Sequence, residues 1–389
     1  MRYTTFRDQN LMRHEIDIIG ITGNIATGKS VVRRMVANSG AMEMDADTLA
    51  HRLIYRNGPC YPDVIAAFGE EILDDERYIS HSKLGEIVFS DPQKLQLLES
   101  LTHPAVTESI LKRISLSPKP MIVIEAIKLL EAGLDSICTS IWVSYASQFQ
   151  QRHRLMQTRN MSEEDAYNRI NIQSPQMTKL AQADILINTE GSFKATWEQV
   201  QRALNDTIQL NTNLKRLNLK NKEGWTVTPI TQLPQDQIDV FWQNRCPEES
   251  LDLYEQLGMH RVLSLSHNDE LAALLIWDNW NFTATVKKLI PSGGLETFSQ
   301  DVLALFIEQA RNEGCEIILL PEEMIHEHNF HPADLGFERR SIETISYPAW
   351  QQAIEKMQTD LAGLAWIKVL IEPIEFRNDF LLTEEKSND

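Results

Sequence analysis

The first half of the chain alternates short apolar runs with stretches of helical pattern. The runs that are typical of buried strands lie at residues 16–23, 120–127, 140–146 and 183–191. The helical stretches between them include residues 91–114 and 162–173. Strands that alternate with helices predict an α/β fold, in which helices cover both faces of a parallel sheet.

In the second half, several strand-like runs surround a single amphipathic helix. The runs lie at residues 260–267, 270–278, 282–291 and 315–321. The helical pattern at residues 297–314 ends in Gly314 and lies between the last two runs. This order predicts a second unit of the α+β class.

A polar stretch rich in Asn and Lys separates the two halves. It follows a helical pattern that begins at residue 194, and Gly224 closes it. The length of 389 residues also suits two domains. The sequence therefore predicts two units that fold separately, with an N-terminal extension at 1–15, a first domain at 16–210, a linker at 211–223, a second domain at 224–350 and a C-terminal extension at 351–389.

Charge and hydropathy exclude several classes of partner. The formal net charge is −18 at pH 7, with −4 on residues 1–210 and −14 on residues 211–389. Binding to nucleic-acid phosphates requires Lys and Arg side chains that replace counterions, so we expect no nucleic-acid partner. No apolar run approaches the roughly 18 residues of a membrane span, and residues 1–15 contain no apolar signal core.

The four cysteines bear on the compartment of the protein. Cys60, Cys138, Cys246 and Cys315 lie far apart, and no pair has the spacing of a metal or redox site. Free thiols are typical of a reducing compartment. Together with the missing apolar segments, this predicts a soluble, cytoplasmic protein without a membrane partner.

A phosphate-binding loop follows the first predicted strand. The pattern G-x-x-x-x-G-K-[ST] is filled by Gly23, Asn24, Ile25, Ala26, Thr27, Gly28, Lys29 and Ser30. The glycines allow the backbone amides to curl around phosphate, and the next helix presents its positive end. Lys29 is placed to reach the β- and γ-phosphates of ATP, and the Ser30 hydroxyl to bind Mg²⁺. A chance glycine turn is the alternative, but the strand before the loop and the helix after it favour nucleotide binding.

Two aspartates, Asp45 and Asp47, follow the loop at the predicted end of the next strand. In an open α/β sheet, ligands bind at the carboxyl ends of the strands. The two carboxylates could therefore hold Mg²⁺ or accept a proton from a hydroxyl group. Alternatively, either aspartate could simply cap the following helix.

Beyond the loop, a series of motifs over residues 16–205 resembles the dephospho-coenzyme A kinase family in order and spacing. The motifs are GITGNIATGKS, MDADTLAHRLI, FGEEIL, KLGEIVF, LESLTHP, LLEAGL, RLMQTRNMSEEDAYNRINIQ and ADILINTEG. The resemblance implies a P-loop core, a helical CoA-binding region and a lid. It also implies ATP-dependent phosphorylation of the ribose 3′-hydroxyl of dephospho-CoA, the last step of CoA biosynthesis.

The resemblance implies roles for individual residues. Asp47 matches the proposed general base on the 3′-hydroxyl, and Asp45 would assist Mg²⁺ or position the substrate. The other implied site residues are Lys29 and the lid residue Arg154 for ATP and catalysis, the lid residue Arg169 and the helical-region residue His103 for the substrate, and Asn188 and Gly191 near the adenine. For each arginine the alternative is a solvated surface charge, and for His103 a histidine at a helix end.

Two positions depart from the family pattern. Thr158 stands where an Arg is common, although Arg159 is its neighbour, and His81 stands where an Arg is expected. Neither position touches the phosphate loop, so the departures concern the substrate side. A different small-molecule or nucleotide kinase of the same fold is one alternative function, and an ATP-dependent regulatory switch is another.

The second half resembles the GNAT acyltransferase superfamily over residues 224–347. In working members, a turn with a basic or Gln residue and glycines cradles the acyl-CoA pyrophosphate. Here only Gly293 and Gly294 remain of that turn. We therefore expect a GNAT-like fold that does not catalyse acetyl transfer, or one that senses CoA.

A histidine-rich segment, HEHNFHP, invites a metal interpretation through His326, His328 and His331. A zinc site needs converging ligands of fixed geometry. The segment offers no helical pair of histidines four residues apart and no matching cysteine. We therefore expect a polar loop there.

Overall fold

The structure is a computed structural model that describes residues 16–210 and most of the second half. The described residues of the second half are 219–220, 224–247, 252–268, 270–292, 300–322, 324–325, 331–341, 345, 347, 350–351 and 364–371. The predicted extension at residues 1–15, the turn at Gly293 and Gly294, and both His326 and His328 lie outside the described residues.

The first half contains a five-stranded sheet that is parallel throughout. Its strands are β1 (Asp17–Thr22), β2 (Met42–Asp45), β3 (Met121–Glu125), β4 (Ser140–Tyr145) and β5 (Ile185–Asn188). The strand order is β2-β3-β1-β4-β5. The predicted parallel sheet is confirmed, and its central strand β1 leads directly into the phosphate loop.

Helices of the first half cover this sheet and form the walls of the site. They are α1 (Lys29–Asn38), α2 (Ala46–Leu53), α3 (Tyr61–Phe68), α4 (His81–Ser90), α5 (Pro92–Leu116), α6 (Gln148–Arg159), α7 (Glu163–Asn171), α8 (Gln176–Leu180) and α9 (Phe193–Leu210). The helical patterns predicted at 91–114 and 162–173 correspond to α5 and α7. Because helices cover both faces, every residue of β1 is buried.

The second half contains an eight-stranded mixed sheet. Its strands are β6 (Leu219–Lys220), β7 (Trp225–Pro229), β8 (Arg261–His267), β9 (Glu270–Trp280), β10 (Thr283–Pro291), β11 (Ile317–Pro321), β12 (Glu338–Ser341) and β13 (Leu364–Val369). The order is β12-β13-β11-β10-β9-β8-β7-β6. The β10–β11 pair is parallel, and the other neighbouring pairs are antiparallel.

Two predicted boundaries differ from the extent of this sheet. Leu219–Lys220 lies within the predicted linker, yet it pairs with β7 as an edge strand. Leu364–Val369 lies within the predicted C-terminal extension, yet it pairs with both β11 and β12. A two-residue strand has no periodicity that could reveal it, and β13 is distant in sequence from the strands beside it. The second sheet therefore runs beyond residue 350.

Three described helices, α10 (Gln235–Arg245), α11 (Leu253–Met259) and α12 (Gln300–Asn312), accompany the second sheet. The helix predicted at 297–314 corresponds to α12. Across the described residues, no helix combines the length and the apolar character that crossing a membrane would require.

The two halves share a hydrophobic core. Val32 and Met35 of α1 belong to the same buried cluster as Trp242 of α10, Leu257 of α11 and Val262 of β8. All five side chains are at most 7% exposed. Burial of this apolar surface stabilises both halves at once. The two halves therefore support one another through this shared cluster, and whether each folds alone stays a prediction.

A hairpin of the second half also inserts into the first. At the tip between β9 and β10, Asn281 and Phe282 adopt left-handed backbone angles, with φ of 51° and 61°. Phe282 is 6% exposed and packs in a core cluster of the first half. The guanidinium of Arg52, on α2, donates a hydrogen bond of 3.1 Å to the carbonyl oxygen of Asn281. The strained tip is thus held by the first half of the chain.

Candidate active site

The phosphate loop joins β1 to α1 and depends on its two glycines. Gly23 has φ of +151°, and a Cβ there would lie 2.4 Å from the carbonyl oxygen of Ser144. Gly28, with φ of +81°, is the residue that precedes α1, and a Cβ there would lie 3.2 Å from Thr189. A larger residue at either position would therefore strain the backbone or displace its neighbour.

Contacts from distant segments hold the tip of the loop. Gln173 accepts a hydrogen bond of 2.7 Å from the amide of Ile25. The side-chain amide of Asn24 donates to the carbonyl of Ser174 at 3.0 Å. Ala26 adopts a left-handed conformation, with φ of 57°. The loop is thus fixed in a curled shape, as an anion-binding nest requires.

Lys29 and Ser30 open α1 beside the loop. Lys29 is 7% exposed, and its ammonium donates to the carbonyl of Asn24 at 3.1 Å. Burial lowers the pKa of Lys29, although Glu125 and Asp47 attract the charge. The hydroxyl of Ser30 donates to Oε1 of Glu125 at 3.0 Å. Both predicted side chains therefore lie at the carboxyl end of the sheet, next to acidic groups.

The two aspartates take different positions at the start of α2. Asp45 caps the helix, because its Oδ1 accepts a hydrogen bond of 3.0 Å from the amide of Thr48. Its Oδ2 lies 3.2 Å from a guanidinium nitrogen of Arg33. Asp47 lies in the first turn instead, and its Oδ2 accepts a hydrogen bond of 3.2 Å from the amide of Ile127. The capping alternative thus describes Asp45, but not Asp47.

The carboxyl group of Asp47 has a raised pKa although the residue is exposed to solvent. Protein atoms surround the carboxyl group closely enough to disfavour its ionised form. This burial, followed by the charge of Asp45, raises the pKa of Asp47. Lys29 and Lys179 act in the opposite direction. A carboxylate with a raised pKa is a better proton acceptor than an ordinary one.

Lys179 is a site residue that the sequence interpretation missed. It lies on α8, is 4% exposed, and donates a hydrogen bond to the carbonyl of Ile127. Thr22, the last residue of β1, donates to the same carbonyl at 3.1 Å. Ile127 is therefore held at both of its backbone groups: its amide donates to Asp47, and its carbonyl accepts from Lys179 and Thr22. Burial lowers the pKa of Lys179, against the attraction of Glu131 and Asp47.

Arg154, on α6, reaches the phosphate loop, and its role as a lid residue stays a prediction. Its guanidinium donates to the carbonyl of Ala26 at 3.0 Å and to the hydroxyl of Thr189 at 3.1 Å. It also donates to the carbonyl of Thr189. The Thr189 hydroxyl in turn donates to the carbonyl of Thr27 at 2.8 Å. Burial lowers the pKa of Arg154, while Glu190 attracts its charge.

Asn188, the last residue of β5, and Gly191, in the segment after it, flank this contact. The side-chain oxygen of Asn188 accepts a hydrogen bond of 2.9 Å from the amide of Glu190. Gln199 on α9 donates to the carbonyl of Asn188 at 2.8 Å. The side chain of Asn188 and that of Gln199 thus fix the backbone on either side of Thr189. Its place beside the loop is consistent with the predicted adenine contact, which stays a prediction.

His103 and Arg169 lie on two helices of the first half, α5 and α7. Burial lowers the pKa of His103, a residue of α5, against the attraction of Glu99. Arg169, in the last turn of α7, lies 5.3 Å above the ring of Phe89 at the end of α4. This cation–π contact joins the lid helix to the helical region. The substrate roles predicted for both residues stay predictions.

The described residues contain no group of three or more His, Cys, Asp or Glu side chains arranged to hold a metal ion. His331, the described member of the histidine-rich segment, is exposed. The site nevertheless contains hard oxygen atoms, namely the hydroxyl of Ser30 and the carboxylates of Glu125 and Asp45. Mg²⁺ prefers ligands of this kind when phosphates supply the others.

A glycine-rich loop between a central parallel strand and a helix, with a buried lysine, an adjacent hydroxyl and a carboxylate pair, defines the class of P-loop phosphotransferases. The sequence profile of the dephospho-CoA kinase family matches residues 17–195. The chain is 39% identical over 188 residues to a dephospho-CoA kinase of Carboxydothermus hydrogenoformans, and the match covers 48% of this chain and 91% of that protein.

Solved structures that are similar to parts of this chain include a kinase and an acetyltransferase. A dephospho-CoA kinase from Campylobacter jejuni is 25% identical, with a TM-score of 0.38, and covers 50% of this chain and 98% of that one. An acetyltransferase from Streptococcus agalactiae is 14% identical, with a TM-score of 0.26, over 38% of this chain and 99% of that one.

The chain belongs to the dephospho-CoA kinase family, whose members use ATP to phosphorylate dephospho-CoA. Its first half carries the function of that family, the last step of CoA biosynthesis. The relatives correspond to this half alone, so they assign nothing to the residues after it.

Proposed function

We propose that the first half transfers the γ-phosphoryl group of ATP to the ribose 3′-hydroxyl of dephospho-CoA with Asp47 as general base. The observation that carries the role of Asp47 is its hydrogen bond from the amide of Ile127, a residue whose carbonyl accepts from Lys179 and Thr22. Asp45 caps α2 and pairs with Arg33, so we assign the base to Asp47 and not to Asp45.

In the proposed reaction, the 3′-oxygen forms a bond to the γ-phosphorus as the bond to the β,γ-bridging oxygen breaks. ADP leaves with that oxygen, and the hydroxyl proton passes to the carboxylate of Asp47. The Ile127 amide binds Oδ2, so Oδ1 can accept the proton while the carboxylate keeps its orientation. Positive groups around the transferred phosphoryl stabilise the charge that spreads over its oxygens.

The phosphate loop and the lid bind ATP in this proposal. The amides of residues 23–28 and the start of α1 receive the phosphates, and Lys29 neutralises them. Arg154 reaches the loop from α6, and it would contact the phosphates in place of the carbonyl of Ala26 when the lid closes. Asn188 and Gly191 would contact the adenine, while His103 and Arg169 would contact dephospho-CoA.

We include Mg²⁺ in the proposal because the Ser30 hydroxyl meets carboxylates at this site. Ser30 and Asp45 would hold the ion together with the phosphates of ATP. When bound, Mg²⁺ neutralises phosphate charge. Glu125, which accepts the hydrogen bond of Ser30, keeps the hydroxyl at this position. Burial, with Asp45 nearby, raises the pKa of Glu125 against the attraction of Arg33.

The acceptor is tested by ADP release from the full chain with ATP and Mg²⁺. The acceptors compared are dephospho-CoA, adenosine, AMP and pantetheine phosphates. We expect turnover with dephospho-CoA and a new phosphate on the 3′-oxygen, identified by ³¹P NMR of the product. Good turnover of another acceptor without turnover of dephospho-CoA would support a different kinase of the same fold. ATP binding without any phosphoryl transfer would support the regulatory switch.

For the second half, we propose a GNAT-like unit that does not transfer acetyl groups. The order β8, β9, β10, α12 and β11 is the order of strands and helix on which the resemblance rests. The test is a screen of the full chain for acetyl transfer from acetyl-CoA to amines, with a Gly294→Asp variant as control. We expect no transfer. Transfer that this substitution removes would overturn the proposal.

A further inference from the structure

A series of buried ion pairs runs from the second half of the chain to the phosphate site. It begins at Arg261, the first residue of β8, which is 1% exposed. Its guanidinium donates to Glu313 of the second half at 3.0 Å and to Glu43 of the first half at 3.4 Å. Glu313 and Glu43 together raise the pKa of Arg261 over the opposing effect of burial. One side chain thus bridges the two halves.

Glu43 carries the series into the first half. It lies on β2, is 4% exposed, and has its Oε1 3.2 Å from Arg34 and its Oε2 3.3 Å from Arg33, both on α1. Burial alone would raise the pKa of Glu43, but Arg34, Arg33 and Arg261 outweigh it and hold the pKa low. A carboxylate that is shared among three guanidinium groups is sensitive to the loss of any one of them.

Arg33 connects this carboxylate to the site itself. Its Nε lies 3.2 Å from Oε2 of Glu125, and its Nη1 lies 3.2 Å from Oδ2 of Asp45. Glu125 accepts the hydrogen bond of Ser30, and Asp45 starts the helix that carries Asp47. Two side chains, those of Glu43 and Arg33, therefore separate Arg261 from both carboxylates that border the phosphate site.

The same segment of the second half also fixes the far end of α1. Asn38, the last residue of α1, donates to the carbonyl of Leu257 at 2.8 Å and accepts from the amide of Val262 at 2.9 Å. Arg261 donates to the carbonyl of Ala37 at 2.9 Å. These contacts fix the C-terminal end of α1 against β8 and the segment before it. Because Lys29 and Ser30 open the same helix, the position of the helix also determines where these two side chains lie.

We infer that Arg261 is a positioning residue for phosphoryl transfer, acting through Glu43 and Arg33 on Asp45 and Glu125. Without Arg261, Glu43 draws Arg33 and Arg34 towards itself, and Arg33 leaves the two site carboxylates. Small displacements of positioned groups lower turnover even when the substituted residue is remote from the chemistry. The inference rests on the roles proposed above for Asp45 and Ser30, and it gives the second half a part in kinase catalysis.

The test uses the full chain and the substitutions Arg261→Met and Arg261→Lys. Arg113→Met is the matched control, since Arg113 is also 1% exposed and bridges the halves, with Nη2 2.9 Å from Oε1 of Glu316. Measurements are kcat, KM for ATP and for dephospho-CoA, and the thermal unfolding midpoint of each variant. Wild-type turnover in the same assay tests the proposed reaction independently of these ratios.

We expect Arg261→Met to lower kcat on the order of 10-fold or more, with KM for ATP little changed, because the loop amides are untouched. Arg261→Lys keeps a positive charge beside Glu43 and Glu313, so its kcat should lie between those of Arg261→Met and the wild type. Arg113→Met should lower the unfolding midpoint while kcat at low temperature stays near that of the wild type. Equal losses of kcat in Arg113→Met and Arg261→Met would overturn the inference.

A double substitution isolates the route through Glu43. If Arg261 acts through Glu43, then Arg261→Met should lower kcat far less in a Glu43→Gln background than in the wild type. If Arg261→Met lowers kcat by the same factor in both backgrounds, the two residues act independently and the inference is overturned. If Arg261→Met does not fold, Arg261→Lys takes its place in the same cycle. Arg261→Lys with wild-type kcat and a folded chain would then overturn the inference.

Discussion

The phosphate site and the boundary between the halves both bury charged side chains, but the balance of forces differs. At the site, burial prevails: it lowers the pKa of Lys29 and raises the pKa of Asp47, so each is displaced towards its neutral form. At the boundary, the partners prevail: the pKa of Glu43 is lowered and that of Arg261 is raised.

This difference distinguishes charged groups that a ligand would stabilise from charged groups that stabilise the folded protein. A buried group whose ionised form is disfavoured gains from a bound partner of opposite charge, which is a common property of functional sites. A buried group whose ionised form is favoured already has its partners in the protein. The boundary is therefore part of the folded core, and the site is completed only by ATP and acceptor.

The largest effect should follow from removal of the boundary altogether. A chain that ends at Leu210 exposes the face of α1 that Leu257 and Val262 cover, and leaves Glu43 without Arg261. We expect this chain to lack a cooperative thermal transition and kinase turnover.

Circular dichroism and ADP release measure the outcome, and a chain that ends at Ile371 serves as the control. Full turnover of the shorter chain would show that the first half folds without its neighbour. That result would return the two halves to the separately folding units that the sequence alone suggests.

The next largest effect should come from Lys29→Met. Loss of the ammonium beside the phosphates should lower kcat on the order of 10³-fold. The unfolding midpoint should not fall, because the folded pKa of Lys29 is lowered and the charge therefore opposes folding at neutral pH. Lys119→Met is the matched control, since Lys119 is 5% exposed and lies 2.9 Å from Glu313 at the boundary. A drop in midpoint for Lys29→Met as large as for Lys119→Met would contradict the comparison.

Asp47→Asn should lower kcat on the order of 10²-fold, because it removes the base and keeps the shape. The folded pKa of Asp47 is raised, so its protonated form favours folding at low pH and that contribution is lost as pH rises through the folded pKa. At neutral pH the variant should therefore be no less stable than the wild type.

A pH profile of kcat/KM tests the role of Asp47 directly. In the wild type, activity should fall on the acid side as Asp47 takes up its proton, above the ordinary range of aspartate. The acid limb should move or disappear in Asp47→Asn. The exposed aspartate of α3, replaced in Asp63→Asn, should leave the profile unchanged. An unaltered kcat in Asp47→Asn would remove Asp47 from the reaction.

The sequence predicted those parts of the molecule in which the pattern is local. The strands of the first sheet are continuous apolar runs, and the phosphate loop is a contiguous motif between strand and helix. The different positions of Asp45 and Asp47 could not be predicted from a local pattern. The position of Asp45 depends on where α2 begins, and that of Asp47 depends on the amide of Ile127, far along the chain. Lys179 was missed for the same reason, as its partner is also Ile127.

The contacts between the halves were beyond a reading of local pattern. Arg33 and Arg34 look like a solvated helical face in the sequence, and Arg261 looks like an ordinary strand residue. All three are buried, and Arg261 pairs across the boundary with Glu43, 218 positions away in the chain, a carboxylate that Arg33 and Arg34 also contact. No single segment contains the information that places them together.

The smallest effect on turnover should come from Glu316→Gln, although it removes a fully buried charge. Glu316 accepts hydrogen bonds from Arg52 at 2.8 Å, from Arg113 at 2.9 Å and from the indole of Trp350 at 3.0 Å. Its loss leaves buried guanidinium charge without its carboxylate, which costs about 3–5 kcal/mol of unfolding free energy. The hydrogen bonds that position Asp45 and Asp47 do not involve Glu316, so kcat at low temperature should match the wild type.

Chemical denaturation measures the unfolding free energy of Glu316→Gln, and ADP release measures its kcat. Glu70→Gln, in the exposed pair with Arg77, is the control and should change neither. A tenfold loss of kcat in a folded Glu316→Gln chain would show that the whole boundary, and not the route through Arg261 alone, acts on the phosphate site.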